Sequence, residues 1–293
     1  MAFNHPKILV IGAAGRFAGL VVPQLARQGV KVRGLVRDPK QGDTVRTNGA
    51  SEIMIGDLRN RASLDAALKG VDGVFYIAPV FQADEVAMGL QMVEAAKKAA
   101  VKRFVFSSVI HPTIEALESH AAKRPVEEAI YASGMPYTVL NPTTFFQNIA
   151  AGWPAVEKAD IFSEPFSKTA RITRVDYRDV AEVAAEALIG DRLLYGTFEL
   201  CASGSPNRED IVSIMSEVLG RAIKAGEPSF DAWAAKTPLP YDEHQKQLLA
   251  KMYDYYGKHS SLGNSLTLRA ILGREPRSLK QFIEELAGKS GGT

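Results

Sequence analysis

In Lys7-Ile8-Leu9-Val10-Ile11-Gly12-Ala13-Ala14-Gly15-Arg16-Phe17-Ala18, a short apolar run stops at a glycine and a series of small residues follows. Between positions 17 and 28, Leu20, Val21, Leu25 and Ala26 recur at helical spacing. The segment reads strand, turn, helix, which is the context in which a GxxGxxA pattern predicts a dinucleotide loop. Gly12 permits the tight turn, and Gly15 lets the backbone approach a pyrophosphate met by helix N-terminal amides. Ala18 or Gly19 lets the helix pack closely on the sheet. Gly12, Ala14, Gly15, Arg16 and Phe17 are the expected contacts of this loop.

The same alternation continues outward. Strands are predicted at 31–36, 52–55, 73–77, 103–107 and 137–140, with helices between them such as 86–100 and 123–132. Their cores are continuous apolar runs, Val74-Phe75-Tyr76 among them, as in strands covered on both faces. The predicted fold is α/β, a Rossmann-type doubly wound parallel sheet with a smaller, mostly helical C-terminal substrate lobe. Residues 1–150 form the dinucleotide-binding domain, and 170–204 return to it through a helix at 176–188 and a strand at 197–201. The smaller lobe takes 151–169, where Trp153, Pro154 and 162–166 read as irregular, and 205–293. From Asn207 onward, Ile211, Ile214, Met215, Val218 and Leu219 share a helix face, and no further strand alternation is visible. A turn-rich break falls at 260–264, and the polar end 289–293 is expected to fray.

Composition narrows the classes of function. The formal net charge of +2 comes without any run of like charges, so neither nucleic acid nor an anionic membrane has an electrostatic footprint. A small-molecule substrate is expected instead. One cysteine, Cys201, supports no disulfide framework and no metal-ligand spacing, so no metal is expected and a reducing cytoplasm is the default location. The start, Met1-Ala2-Phe3-Asn4-His5-Pro6, carries no export pattern, and no apolar run reaches membrane-spanning length. A homodimer is compatible with the sequence, which does not decide it.

An NAD site usually closes its second strand with an acid for the ribose hydroxyls. Here the chain reads Val36-Arg37-Asp38. Val36 cannot accept a hydrogen bond, whereas the Arg37 guanidinium matches a 2′-phosphate, with Arg16 and Lys40 adding positive charge. NADP(H) is therefore the expected cofactor; in the competing reading Arg37 is solvated and Asp38 serves the ribose.

Taken together, these residues with Leu35-Val36-Arg37, Gly56-Asp57-Leu58, Gly70-Val71-Asp72-Gly73-Val74-Phe75, Phe104-Val105-Phe106-Ser107-Ser108 and Ser133-Gly134-Met135-Pro136-Tyr137-Thr138 carry a resemblance. The chain resembles, almost end to end, the NmrA-like group of atypical short-chain dehydrogenase/reductases. That group includes quinone-type reductases, triphenylmethane reductase and NADPH-sensing regulators. The resemblance implies that Asp57 and Leu58 flank the adenine and that Ala78, Pro79 and Val80 pass the ribose and pyrophosphate. It implies a nicotinamide end lined by Pro142, Thr143 and Phe145. Ala78, Ser107 and Asn141 also fall at the carboxyl ends of predicted strands, where open α/β sheets bind ligands. Asp57 alternatively serves as a turn or cap residue.

The wider superfamily pairs a tyrosine acid/base with a lysine four residues later. Lys123 matches the lysine, but Ser119 stands in the tyrosine's place, and its hydroxyl is far too weakly acidic to substitute. Lys123 is then expected to position the ribose and relay a proton, unless it is a helix-surface lysine. Ser107 and Ser108 end the fifth strand one residue short of the superfamily's serine position. His111 and His120 are candidate proton donors, His120 sharing a helix face with Lys123 if that segment is helical. Tyr241, Tyr253, Tyr255, Tyr256 and His259, with Trp233, line an acceptor site or simply pack helices. The expected activity is NADPH-dependent hydride transfer to a small apolar acceptor, such as a quinone, conjugated carbonyl or imine. The alternatives are a non-catalytic NADPH-sensing regulator acting through a protein partner, and an NADP-using isomerase or lyase.

Overall fold

The computed structural model describes residues 6–290, with side chains through 288. Of the end expected to fray, 289–290 close the last helix, a correction, and 291–293 lie outside the described residues. Among the described residues, eleven strands run in order: β1 Lys7–Ile11, β2 Lys31–Val36, β3 Glu52–Ile55, β4 Gly73–Ile77, β5 Arg103–Ser107, β6 Tyr137–Pro142, β7 Thr144–Phe145, β8 Ile161–Ser163, β9 Arg174–Val175, β10 Gly196–Leu200 and β11 Lys224–Gly226. Seven of them form one sheet in the order β10-β6-β5-β4-β1-β2-β3. Pairing is parallel from β3 through β6, with Val10 opposite Gly34 and Ser107 opposite Leu140. The order reverses between β1 and β4, so this is the doubly wound arrangement, with its crevice at the carboxyl ends of those two strands.

Internal contacts divide the chain into two units. The first holds residues up to Glu115, His120–Asn141 and Arg178–Phe198. Its core is sheet on helix: Leu9, Val74, Phe104 and Val139 meet Met88, Met92, Val126 and Ile130 from the helices Glu85–Lys98 and Arg124–Ala132. Burial of such side chains stabilises this packing by roughly 1.5–3 kcal/mol each.

The second unit holds Ala116–Ser119, Pro142–Tyr177 and the chain from Glu199. Phe146, Trp153, Phe162, Ile211, Met215 and Phe282 form its core, drawn largely from the helices Trp153–Ala159, Arg208–Leu219 and Leu279–Ser290. Among the described residues, three of its helices start on capping boxes, Asn207 with Asp210, Asp242 with Gln245 and Ser278 with Gln281. The expectation of no strand after Asn207, and of irregular chain at 153–154 and 162–163, is corrected here: 153–154 open the helix Trp153–Ala159, and β11 pairs in parallel with β8, Ala225 opposite Phe162, while 164–166 are irregular as expected. Three residues are too few to show alternation, and Lys224-Ala225-Gly226 has no β-branched residue, so only the partner strand makes it extended. No helix among the described residues is long and apolar enough to cross a membrane.

Candidate functional site

At the end of β1 the chain turns through Gly12, whose φ of +65° suits glycine, and the Gly15 amide donates to Gly12 O at 2.7 Å. A Cβ on Gly15 would stand 2.9 Å from that same carbonyl, so the turn closes too tightly for any side chain there. The helix predicted from residue 17 begins later. A 3-10 turn at Ala18–Leu20 intervenes, and the α-helix is only Val21–Arg27. The small-residue loop itself, rather than the first turn of a long helix, therefore forms the cradle.

This loop opens onto a cavity of about 330 Å³ at the carboxyl ends of β1 to β4. Gly12, Ala14, Gly15, Arg16 and Phe17 line it from β1, and Arg37 from β2. Asp57 and Leu58 line it after β3, and Ala78, Pro79 and Val80 after β4. Eleven residues chosen from four separated stretches of sequence thus meet in one place, at the switch point of the sheet.

The charges are arranged to receive an anion. Val36 is buried and Arg37 exposed, while the Arg16 guanidinium lies 5.5 Å from the Phe17 ring centre. Asp38, the competing ribose acceptor, turns away to cap the Pro39–Gln41 turn by accepting from the Lys40 amide at 2.9 Å. Asp57 takes its turn role, its Oδ1 accepting from the Arg59 amide at 2.8 Å, in a turn that forms part of the cavity wall. Gln91 Nε2 pins the Leu58 carbonyl at 2.5 Å. A backbone cradle with the Arg37 guanidinium just past the end of β2, and Arg16 beside it in the lining, fits a dinucleotide bearing an extra phosphate.

Sequence reasoning missed Gln41, Arg59, Gln82 and Met88 in this wall. Arg59 grips Asp84 with two bonds, 2.7 and 2.9 Å, and reaches Gln82 at 3.1 Å, tying the loop after β3 to the loop after β4. Its adjacency to Asp57-Leu58 was a signal, but the reach to position 84 was not.

The remaining predicted residues lie outside this lining. Ser107 is fully buried at the end of β5, and Ser108 Oγ donates to Glu127 Oε1 at 2.5 Å. Burial raises the Glu127 pKa, with Ser108 and Tyr131 opposing. Lys123 is buried and its ammonium meets Glu85, whose pKa burial lifts against the pull of that lysine. The helix through Ser119 spans only Glu118–Ala121, and Lys123 begins the next one, Arg124–Ala132, so His120 and Lys123 do not share a continuous helix. His120 is buried, with its pKa pushed down to about 4 by desolvation against backbone hydrogen bonds at His111 and Ile110. His111 is exposed, at a φ of +52°. Pro142 ends β6; Thr143 Oγ1 donates to Thr173 O at 2.6 Å, and Phe145 meets Tyr177 edge-on at 4.7 Å. Cys201 is buried beside Glu199, and desolvation raises its pKa, so it is not an activated thiol.

The fold and cavity define a dinucleotide-binding α/β protein of the Rossmann type. More narrowly, residues 4–286 match the model of the NmrA-like family, and the chain belongs to that family. It is 33% identical to the (4-alkanoyl-5-oxo-2,5-dihydrofuran-3-yl)methyl phosphate reductase of Streptomyces griseus subsp. griseus, covering 96% of this chain and 98% of that one. It is 26% identical to the NAD(P)H azoreductase of Xenophilus azovorans, covering 97% and 99%. A crystal structure of the NADPH-dependent quinone oxidoreductase QOR2 of Escherichia coli in complex with NADPH superposes with a TM-score of 0.82, at 21% identity, covering 96% and 99%.

Proposed function

We propose that the protein is an NADP(H)-dependent reductase that delivers hydride to a small acceptor with a conjugated or imine-like π-system. The observation that carries this reading is the convergence of the Gly12–Gly15 cradle with Arg16 and Arg37 in one cavity, where Arg37 follows β2 and Asp38 caps the next turn. Reductases among the relatives support it, acting by their names on an azo compound and on an unsaturated furanone phosphate. When bound, the cofactor supplies the hydride. The chain's own part is to hold and orient: the cradle receives the pyrophosphate, Arg37 and Arg16 grip the 2′-phosphate, and Asp57 and Leu58 border the adenine.

Acceptors of this type need little acid catalysis from the protein. Reduction of a quinone or enone leaves a stabilised oxyanion that solvent can protonate, which suits a chain with Ser119 in the tyrosine position. His120, held neutral inside the unit, is a poor acid near pH 7 and serves the packing. His111, exposed beyond β5, is the histidine we assign as a proton source. Lys123 acts with Glu85 as an internal anchor that fixes the start of the helix Glu85–Lys98, and with it the loop after β4. We assign the protein to the reducing cytoplasm, where a thiol such as Cys201 stays free.

The test is oxidation of NADPH and of NADH by purified protein against quinones, enones, imines and azo dyes. Turnover with NADPH preferred is the expected result. If no acceptor in the panel oxidises NADPH while the protein still binds it, the reductase reading fails and nucleotide sensing replaces it.

A further inference from the structure

The second unit encloses a charge arrangement that the nucleotide cavity does not use. Arg174, on β9, and Arg208, at the start of the helix Arg208–Leu219, are each 2% exposed. Both approach one carboxylate oxygen, Glu164 Oε2, from 2.8 and 3.8 Å. Arg174 spends a single nitrogen, Nη2, on both Glu164 oxygens. Arg208 spends Nη1 on two main-chain carbonyls, Phe166 O at 2.9 Å and Gly226 O at 2.8 Å. Its guanidinium lies 4.6 Å from the Phe166 ring centre, and Phe166 stacks on Tyr253 at 5.5 Å.

The account does not balance. Nε and Nη1 of Arg174, and Nε and Nη2 of Arg208, are buried without an acceptor among the described residues. Two guanidinium charges face one carboxylate, so the group carries an excess positive charge away from water. Leaving one buried donor unsatisfied costs about 1–3 kcal/mol, and more when it is charged. Glu227, the next acid sensed by Arg208, is exposed and accepts from the Lys168 amide at 3.1 Å. Water supplies acceptors but no charge. The Nε and Nη2 edge of Arg208, whose Nε stands 3.8 Å from Glu164 Oε2 without a hydrogen bond, is the planar fork that pairs side-on with two oxygens of an oxyanion.

We infer that Arg174 and Arg208 form an oxyanion-binding site in the second unit, which takes a phosphoryl or carboxylate group. Phe166 and Tyr253 shield it, and Glu164 holds the two arginines apart and oriented. The group comes either from a free anion or from an acidic substituent on the acceptor. The second source rests on the reductase reading; the site itself does not.

Crystals of the full chain, saturated with NADP⁺ so that the cofactor's own phosphate site is filled, are soaked in sodium tungstate. Anomalous density between Arg174 and Arg208, absent in Arg208→Met, is the expected result; water alone there overturns the inference. In solution, with NADP⁺ present, inorganic phosphate at constant ionic strength raises the wild-type melting temperature. Arg208→Met retains the Arg174–Glu164 pair and weakens phosphate binding by about tenfold or more. Equal phosphate responses in the two proteins overturn the site, and if the variant does not fold, the wild-type tungstate map decides alone. Acceptors matched except for an acidic substituent separate the two sources. A KM lowered by the acid in wild type but not in Arg208→Met assigns the site to the acceptor, and equal KM values with phosphate still bound assign it to a free anion. Absence of all turnover fails the reductase reading and leaves the binding results standing.

Discussion

Arginines gather in two regions of this chain, and the two regions are built in opposite ways. Around the nucleotide cavity, Arg16, Arg37 and Arg59 are exposed, and the contacts they complement come from main-chain turns at strand ends. In the second unit, Arg174 and Arg208 are buried, and their partners are the Glu164 carboxylate and the main-chain carbonyls of Phe166 and Gly226. An exposed guanidinium keeps its hydration until a ligand arrives and contributes little to stability meanwhile. A buried one has already lost its water, so its partners become part of what holds the fold.

The strongest test of this contrast is Glu164→Gln. Neutralising the one carboxylate shared by two buried arginines leaves like charges without compensation, and loss of one partner of a buried pair costs about 3–5 kcal/mol. Urea denaturation at pH 7 measures it. A loss below about 1 kcal/mol would mean that the arginines are solvated after all, and the distinction between the regions would collapse.

His120 carries the next largest effect, and it tests whether the sheet unit also contains a buried charge problem. Burial lowers its pKa from 6.5 to about 4, so the folded chain resists a proton that the unfolded chain accepts. Stability is then complete above pH 6.5 and falls as the pH drops toward 4, by about 3 kcal/mol in the limit. His120→Gln should flatten this part of the stability–pH curve relative to wild type. An unchanged slope would show that the imidazole reaches water.

The cavity's own chemistry is tested by Arg37→Ala. Losing a charge-assisted bond to phosphate costs about 1.5–3 kcal/mol, which is roughly a tenfold to hundredfold loss in affinity. NADPH should weaken by that factor and NADH hardly at all, as read from fluorescence titration. Equal losses would return the ribose to Asp38, against its observed role as a turn cap. Melting temperature should stay near wild type, in contrast to Glu164→Gln.

The same difference explains what could be read from the sequence. β1 through β5 fall where apolar runs and glycines predict them, because buried parallel strands write their pattern into contiguous residues. The cradle is equally local: Gly12 and Gly15 are three apart, and their spacing is the turn. Arg59 was missed because its partners, Gln82 and Asp84, arrive on another loop. Nothing periodic links Glu164, Phe166, Arg174, Arg208 and Tyr253, and only tertiary packing brings them together. β11 was lost for a related reason, since a three-residue strand has no pattern of its own.

The smallest effect belongs to the Arg59–Asp84 clasp, and it separates exposure from chemistry. The pairing is the one seen at Arg174–Glu164, guanidinium on carboxylate with two short bonds, but here the side chains are 43% and 41% exposed. Water competes for both ions, and added salt screens them. Asp84→Asn should therefore change stability by less than about 1 kcal/mol. Because the clasp joins the loops after β3 and β4 across the cavity, its loss should speed NADPH release by a few-fold, and 1 M salt should do the same to wild type. Stopped-flow displacement measures the rate. If Asp84→Asn instead destabilised the fold as much as Glu164→Gln, burial would not be what distinguishes the two pairs, because the bonds themselves are alike.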